Sequence, residues 1–179
     1  MKSEILSLIA SFIGMAFVIC SYFVQKKNFL LFQALCIVFL TISYFFNLQF
    51  FAMVGLVIGL ARALTYYYYE NKGLEAPLYW AIIYSVLTLA SYFIINLMIL
   101  KTAEPVDVLY LVGLLLYIFV FRIRDINKVR FLMLFPTLIS VIYNVWSGAA
   151  IFATLSYIFE LSANIISIIR FSVIKVKQK

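Results

Sequence analysis

The chain has 179 residues, 66% of them hydrophobic and 12% charged, with a formal net charge of +7 and no histidine. Soluble domains carry roughly 45–50% apolar and about 25% charged residues, so this composition excludes a water-soluble globular domain and makes lipid the solvent. The missing histidine also removes imidazole acid–base chemistry and the common histidine metal motifs.

A helix that crosses a bilayer needs about 20 largely apolar residues. Seven such segments follow in chain order, at 4–24, 29–46, 50–69, 78–100, 106–122, 129–146 and 148–171. The first has one basic residue, an acidic Glu4 beside it, and runs into Gln25-Lys26-Lys27 without a small-x-small cleavage site, so it reads as a retained helix rather than a signal peptide. Its periodic polar face is Ser7, Ser11, Gly14, Ser21 and Gln25. The second contributes Gln33 and Tyr44.

Segment three carries Arg62 in its middle, on a stripe with Ala52, Gly55, Gly59, Tyr66 and Tyr69 at steps of three and four. The small residues alone suit close helix packing, as Gly55-x-x-x-Gly59 would. Tyr66-Tyr67-Tyr68-Tyr69 reads as an interfacial aromatic belt. Segment four is a single connecting helix. Segment five holds Gly113, and segment six holds Tyr143, Asn144 and Pro136, the one proline inside a predicted helix. Segment seven aligns Ala153, Ser156, Glu160, Asn164 and Ser167 on one face.

A lone charge at the bilayer centre costs roughly 2.5–3.5 kcal/mol on insertion scales, so such residues face a bundle interior or cavity and usually pair. Arg62 and Glu160 are therefore expected as partners across a polar seam. Removing either one should be strongly destabilising and removing both should restore stability.

Lys and Arg stay on the cytoplasmic side. With alternating helices, 11 of them (Lys26, Lys27, Lys72, Arg122, Arg124, Lys128, Arg130, Arg170, Lys175, Lys177 and Lys179) share one side against Lys2 and Lys101 on the other. The N-terminus is expected outside and the C-terminus in the cytoplasm. Attraction to anionic lipid accounts for the positive charge without nucleic acid as a partner.

A shift of 99 positions superposes Gly14 on Gly113, Asn28 on Asn127 and Tyr44 on Tyr143, with Thr41 over Ser140. The expected fold is thus all-α membrane: seven transmembrane helices in a 3+1+3 parallel-repeat arrangement. Residues 1–73 form the first three-helix repeat, 74–104 the linker helix and 105–179 the second repeat. Parallel repeats about an axis normal to the membrane are one transporter plan.

Tyr143-Asn144-Val145-Trp146-Ser147-Gly148, followed by Glu160, Asn164 and Ile168-Ile169-Arg170-Phe171, resembles the C-terminal half of the YgjV family of bacterial inner-membrane proteins. The N-terminal half is similar to it through Gln25-Lys26-Lys27-Asn28, Gln33 and Arg62. The resemblance implies a bacterial inner-membrane location and a distant similarity to the PQ-loop and SWEET group of small-solute transporters. Two features depart from that group: Val24 precedes Gln25 where it has Pro-Gln, and of its helix prolines only Pro136 is present. Gly14 and Gly113 are alternative bending points.

Enzyme chemistry is not expected. Cys20 and Cys36 lie among apolar neighbours, and no glycine-rich phosphate loop, serine nucleophile motif or useful acid pair occurs. The expected function is alternating-access transport of a neutral or zwitterionic solute such as a sugar, nucleoside or vitamin precursor. Arg62, Glu160, Asn164, Asn144, Gln33, Tyr44 and Tyr143 would bind it, and Pro136, Gly14 and Gly113 would act as hinges. The rival is a receptor or structural subunit held by a buried Arg62–Glu160 pair. No cofactor or metal is expected. The partners are the lipid bilayer and the solute, and a homo-oligomer is compatible with either reading.

Overall fold

The computed structural model describes residues 2–22, 24, 26–101 and 104–177, without side-chain placement at Lys2, Lys26, Lys27, Ser167, Arg170 and 171–177. Gln25 of the first polar face and its Gln25-Lys26-Lys27-Asn28 turn thus lies partly outside the described residues. Among those described, all regular structure is helical. We number seven helices: α1 Lys2–Ser21, α2 Lys26–Phe46, α3 Phe50–Asn71, α4 Leu78–Ile99, α5 Pro105–Arg122, α6 Ile126–Ser147 and α7 Ile151–Lys177. The first six are long and apolar enough to cross a membrane, while the seventh has a shorter described apolar stretch, Ile151–Ile166.

Short turns force neighbours to run antiparallel. The Oγ atoms of Ser7, early in α1, and Ser43, late in α2, lie 2.8 Å apart. The bundle therefore has a starting end, with the turns after α2, α4 and α6, and an opposite end, with the turns after α1, α3 and α5. In cross-section α2 lies between α1 and α3, and α6 lies between α5 and α7. Contacts of α1 with α7 and of α3 with α5 close these six helices into a ring, and α4 packs outside it on α3 and α5.

Missing side chains set the closest approaches. A Cβ on Gly55 would fall 2.7 Å from Leu114 Cδ1, so Gly55 lets α3 settle against α5. A Cβ on Gly113 would fall 2.8 Å from Ile139 Cγ2, and one on Gly14 would be 3.4 Å from the Cys36 carbonyl. Both glycines are contact points within unbroken helix. Irregular helix geometry occurs at two other places. In α6 the helix is interrupted at Met133, three residues before Pro136. Pro136 has no N–H to give the carbonyl four residues back, and its ring crowds that carbonyl. In α4 the last two turns, Phe93–Ile99, are π-helical, closed by the Leu100 N–H on the Ile95 carbonyl at 2.8 Å.

Two expectations about faces change. Four consecutive tyrosines cannot share one helix face when each step turns about 100°. Tyr66 points inward and donates its hydroxyl to the Ile118 carbonyl at 3.2 Å, Tyr69 meets Tyr79 and Trp80, and only Tyr68 is fully exposed. Ser7 serves the contact between α1 and α2 rather than an internal seam, through its bond to Ser43, and Ser11 turns its hydroxyl back onto the Ser7 carbonyl of its own helix. Likewise Cys36 is buried, but Cys20 stands in the last turn of α1 and is exposed.

The turn after α2 places Leu48 at φ 58°, 72% exposed. A left-handed conformation costs a non-glycine residue about 1–2 kcal/mol, and this side chain recovers little of that by burial. Leu48→Gly should raise the stability of the purified protein by about 1 kcal/mol, read as a higher thermal unfolding midpoint in detergent.

Candidate functional site

Inside the ring lies a cavity of about 40 Å³, room for about two or three waters. Gln33 from α2, Arg62 from α3, Tyr117 and Phe121 from α5, and Ser156, Tyr157 and Glu160 from α7 line it. The α3 stripe brings Arg62 here: Ala52, Gly55, Gly59 and Tyr66 are all buried with it, and the missing side chain of Gly59 leaves its guanidinium room, 3.6 Å from where a Cβ would stand. Glu160 arrives by the same logic from α7, with Ala153, Ser156 and Asn164 buried on its face.

Arg62 and Glu160 share the cavity but do not pair. Among the described residues Arg62 has no hydrogen-bond or ion-pair partner, its Nε is buried and unpartnered, and its guanidinium carbon lies 4.8 Å from the Phe121 ring centre and 5.8 Å from that of Tyr117. Glu160 instead accepts from Gln33 Nε2 at 3.4 Å, and Gln33 also reaches Ser21 Oγ at 3.5 Å. The helix ring puts the two charges on different walls. Aromatic rings replace the expected counter-charge, and cation–π attraction of about 0.5–2 kcal/mol offsets only part of the guanidinium's desolvation.

The other candidates fall into separate layers. Towards the starting end, Tyr44 donates to Asn144 Oδ1 at 2.5 Å and Tyr143 stacks on Tyr110 with ring centres 4.1 Å apart. Phe51 meets Tyr110 edge-on at 5.9 Å. This layer separates the cavity from a wider recess at the starting end that Tyr143 and Phe51 also line. Towards the opposite end, Tyr22, Phe29 and Phe121 form an edge-on series at 6.1 and 6.0 Å. Asn164 is fully buried one turn beyond Glu160, and neither end of its amide is hydrogen-bonded. The structure thus brings Arg62, Gln33 and Glu160 onto one cavity, and places Tyr44, Tyr143 and Asn144 in the wall above it.

The aromatic lining of α5 was missed in the sequence. Tyr110, Tyr117 and Phe121 recur at steps of seven and four on the face of Leu114, a periodic signal hidden because aromatic residues are abundant throughout the chain. Among the described residues, no three metal-ligating side chains converge.

An all-helical bundle with several membrane-crossing helices and an internal polar cavity is the setting for the comparison with known families. Residues 2–175 match the family Imp-YgjV, described as bacterial inner membrane protein. The chain belongs to this family. No curated protein and no solved structure is significantly similar to it. The Imp-YgjV match places the bundle in a bacterial inner membrane, where the many exposed large apolar residues, such as Ile9, Val86, Phe119 and Ile166, face lipid.

The missing ion pair has a consequence for stability. In a paired site, Arg62→Met would cost about 3–5 kcal/mol. Here Arg62→Met should leave thermal stability unchanged or raise it, because it removes an uncompensated buried charge. Glu160→Met should lower stability by about 1 kcal/mol through the lost Gln33 bond. The two effects should add in the double mutant, measured as unfolding midpoints in detergent. A large loss in Arg62→Met that the double mutant reverses would restore the pair.

Proposed function

We propose that this inner-membrane protein carries a small solute by alternating access. The observation that supports this best is the enclosed cavity between the two three-helix groups, with an unpartnered guanidinium on one wall and a carboxylate with Gln33 on another. Of the neutral and zwitterionic solutes considered, a zwitterion suits these walls best. Arg62 would take its acidic group and Glu160 its basic one, while aromatic rings pack the remainder. A site that must also release its cargo uses groups that bind without being permanently satisfied, and Arg62 meets that condition.

In this reading α1–α3 and α5–α7 are parallel repeats and α4 is the linker that lets both run the same way. The common contact order, with α2 and α6 each in the middle of its group, supports it. All seven helices cross, and the 11 basic residues put the opposite end in the cytoplasm. The aromatic layers above and below the cavity act as gates, and a sugar-sized solute requires one of them to part. Pro136, beside the break in α6, supplies the hinge. The similarity of the family to PQ-loop and SWEET transporters belongs to the same proposal.

The rival reading, a structural or receptor subunit, draws on the small size of the cavity. Cysteine labelling separates the two. In a background with Cys20→Ser and Cys36→Ala, Ser156→Cys places one thiol on the cavity wall. Transport predicts that a membrane-impermeant thiol reagent reacts from both faces of oriented vesicles, and that a panel of amino acids, sugars and nucleosides contains a member that shifts the balance. Absence of reaction from both faces throughout the panel would sink the transport reading.

A further inference from the structure

The recess at the starting end is itself a built site. It has a volume of about 370 Å³, within the range of roughly 300–1,000 Å³ usual for small-ligand pockets. Its wall is acidic: Glu104 and Asp107 line it, and among the described residues that line it there is no lysine or arginine, in a chain of net charge +7.

Each carboxylate makes one bond within the protein, Glu104 with Trp146 and Asp107 with the Glu104 backbone N–H, and each has acceptor capacity beyond it. Glu104 stands at the N-cap of α5 but makes no capping bond with its side chain. It accepts instead from Trp146 Nε1 at 3.0 Å through one oxygen. That bond positions an indole beside a carboxylate at the mouth, where Trp146 is 71% exposed. Asp107, in the first turn of α5, would ordinarily be read as a charge placed to favour the helix dipole.

The feature that points to a ligand is Asn96. It lines the recess, is only 1% exposed, and its Nδ2 has no hydrogen-bond partner. A buried amide left unpaired costs about 1–3 kcal/mol, and Asn96 lies within the π-helical turns of α4, an irregularity that often marks functional sites. Those turns set an unsatisfied donor in a recess that two carboxylates with acceptor capacity to spare and the Tyr143 and Trp146 rings also line.

We propose that the recess captures a small solute that carries both a protonated amine and a carbonyl or carboxylate group. The ammonium is held by Glu104 and Asp107 against the Trp146 and Tyr143 rings, and the acceptor oxygen takes the Nδ2 proton of Asn96. The proposal deepens the transport reading and rests on it for its purpose. Tyr143 belongs both to the recess and to the aromatic layer over the cavity, so an amine caught here sits directly above the gate that leads to Glu160 and Arg62.

The test uses the full chain in detergent micelles at neutral pH. The protein has two tryptophans, so Trp80→Phe leaves Trp146 as the one indole reporter. Glycinamide, methylamine and acetamide are titrated as probes that carry both groups, the amine alone and the carbonyl alone. Glycinamide should give a saturable change in Trp146 emission, methylamine a weaker one and acetamide none. Glu104→Gln with Asp107→Asn should weaken glycinamide binding at least about tenfold, and Asn96→Leu should bring it down to the level of methylamine. Equal responses to acetamide, to sodium or to magnesium, or full binding in the carboxylate double mutant, would overturn the proposal. Glycinamide should also raise the unfolding midpoint of the wild-type chain, a readout that does not depend on any variant folding. Because micelles support no flux, binding here together with failure of the Ser156→Cys labelling would overturn only the transport reading.

Discussion

The structure turns on a guanidinium that sits inside a lipid-facing bundle with no counter-ion among the described residues. Arg62 is 5% exposed and packs against the rings of Tyr117 and Phe121 and beside Gly59 of its own helix. Every surrounding feature accommodates that charge. Gly59 leaves it space, α5 turns Tyr117 and Phe121 towards it, and the ring of six helices keeps it away from the hydrocarbon. A residue held at such expense and left unsatisfied is difficult to explain as scaffolding, since a well-packed apolar side chain of similar volume would serve stability at least as well. The proposed transport reading gives that charge a purpose that packing alone does not.

Placement of the helices was open to sequence reasoning because lipid demands an unambiguous signal: runs of about 20 apolar residues with every backbone group satisfied internally. The segments at 50–69 and 106–122 match α3 and α5 within two residues. The seventh predicted segment begins three residues before α7, at Gly148, which instead takes a left-handed turn at φ 66°. Arg62, Gln33 and Glu160 were legible as well, because an ionisable or amide side chain stands out against an apolar background.

What could not be read was which wall each side chain occupies. Periodicity puts residues on one face of a helix but says nothing about that face's azimuth in the bundle, so the cost of a lone charge predicts a partner for Arg62 without showing that Glu160 stands on a different wall. Tyr44, Tyr143 and Asn144 read as hydrogen-bonding groups of the same seam, whereas they build the layer above the cavity. The π-helical turns at Phe93–Ile99 carry no proline or glycine to announce them, and without those turns Asn96 is one more polar residue near a helix end. The recess depends on residues from four separate stretches, Leu48–Phe51, Asn96–Leu100, Glu104–Asp107 and Tyr143–Ser147, which become neighbours only once the helices have packed.

The two ends of the bundle are shut by different chemistry. At the opposite end, Arg122 donates to the Ala76 carbonyl at 2.8 Å and Arg130 to the Tyr22 carbonyl at 3.2 Å, tying α5 and α6 to the turns beside them. Charge-assisted bonds of this kind are roughly twice as strong as neutral ones. At the starting end the bonds across the ring are mainly neutral, Tyr44 to Asn144 and Gln49 Nε2 to the Ser147 carbonyl at 2.9 Å, with one charge-assisted bond from Trp146 to Glu104 at the exposed rim and the stacked rings of Tyr110 and Tyr143 beside them. A bundle that opens at all opens more readily where fewer charged bonds must break. The end with fewer charge-assisted bonds is also the one with the acidic recess, the arrangement that the proposed capture of an amine would require. The break at Met133 lies towards the other end of the same helix that carries Tyr143 and Asn144, so a swing of Leu134–Ser147 about that point would move both gate residues together while the Arg122 and Arg130 bonds stay in place.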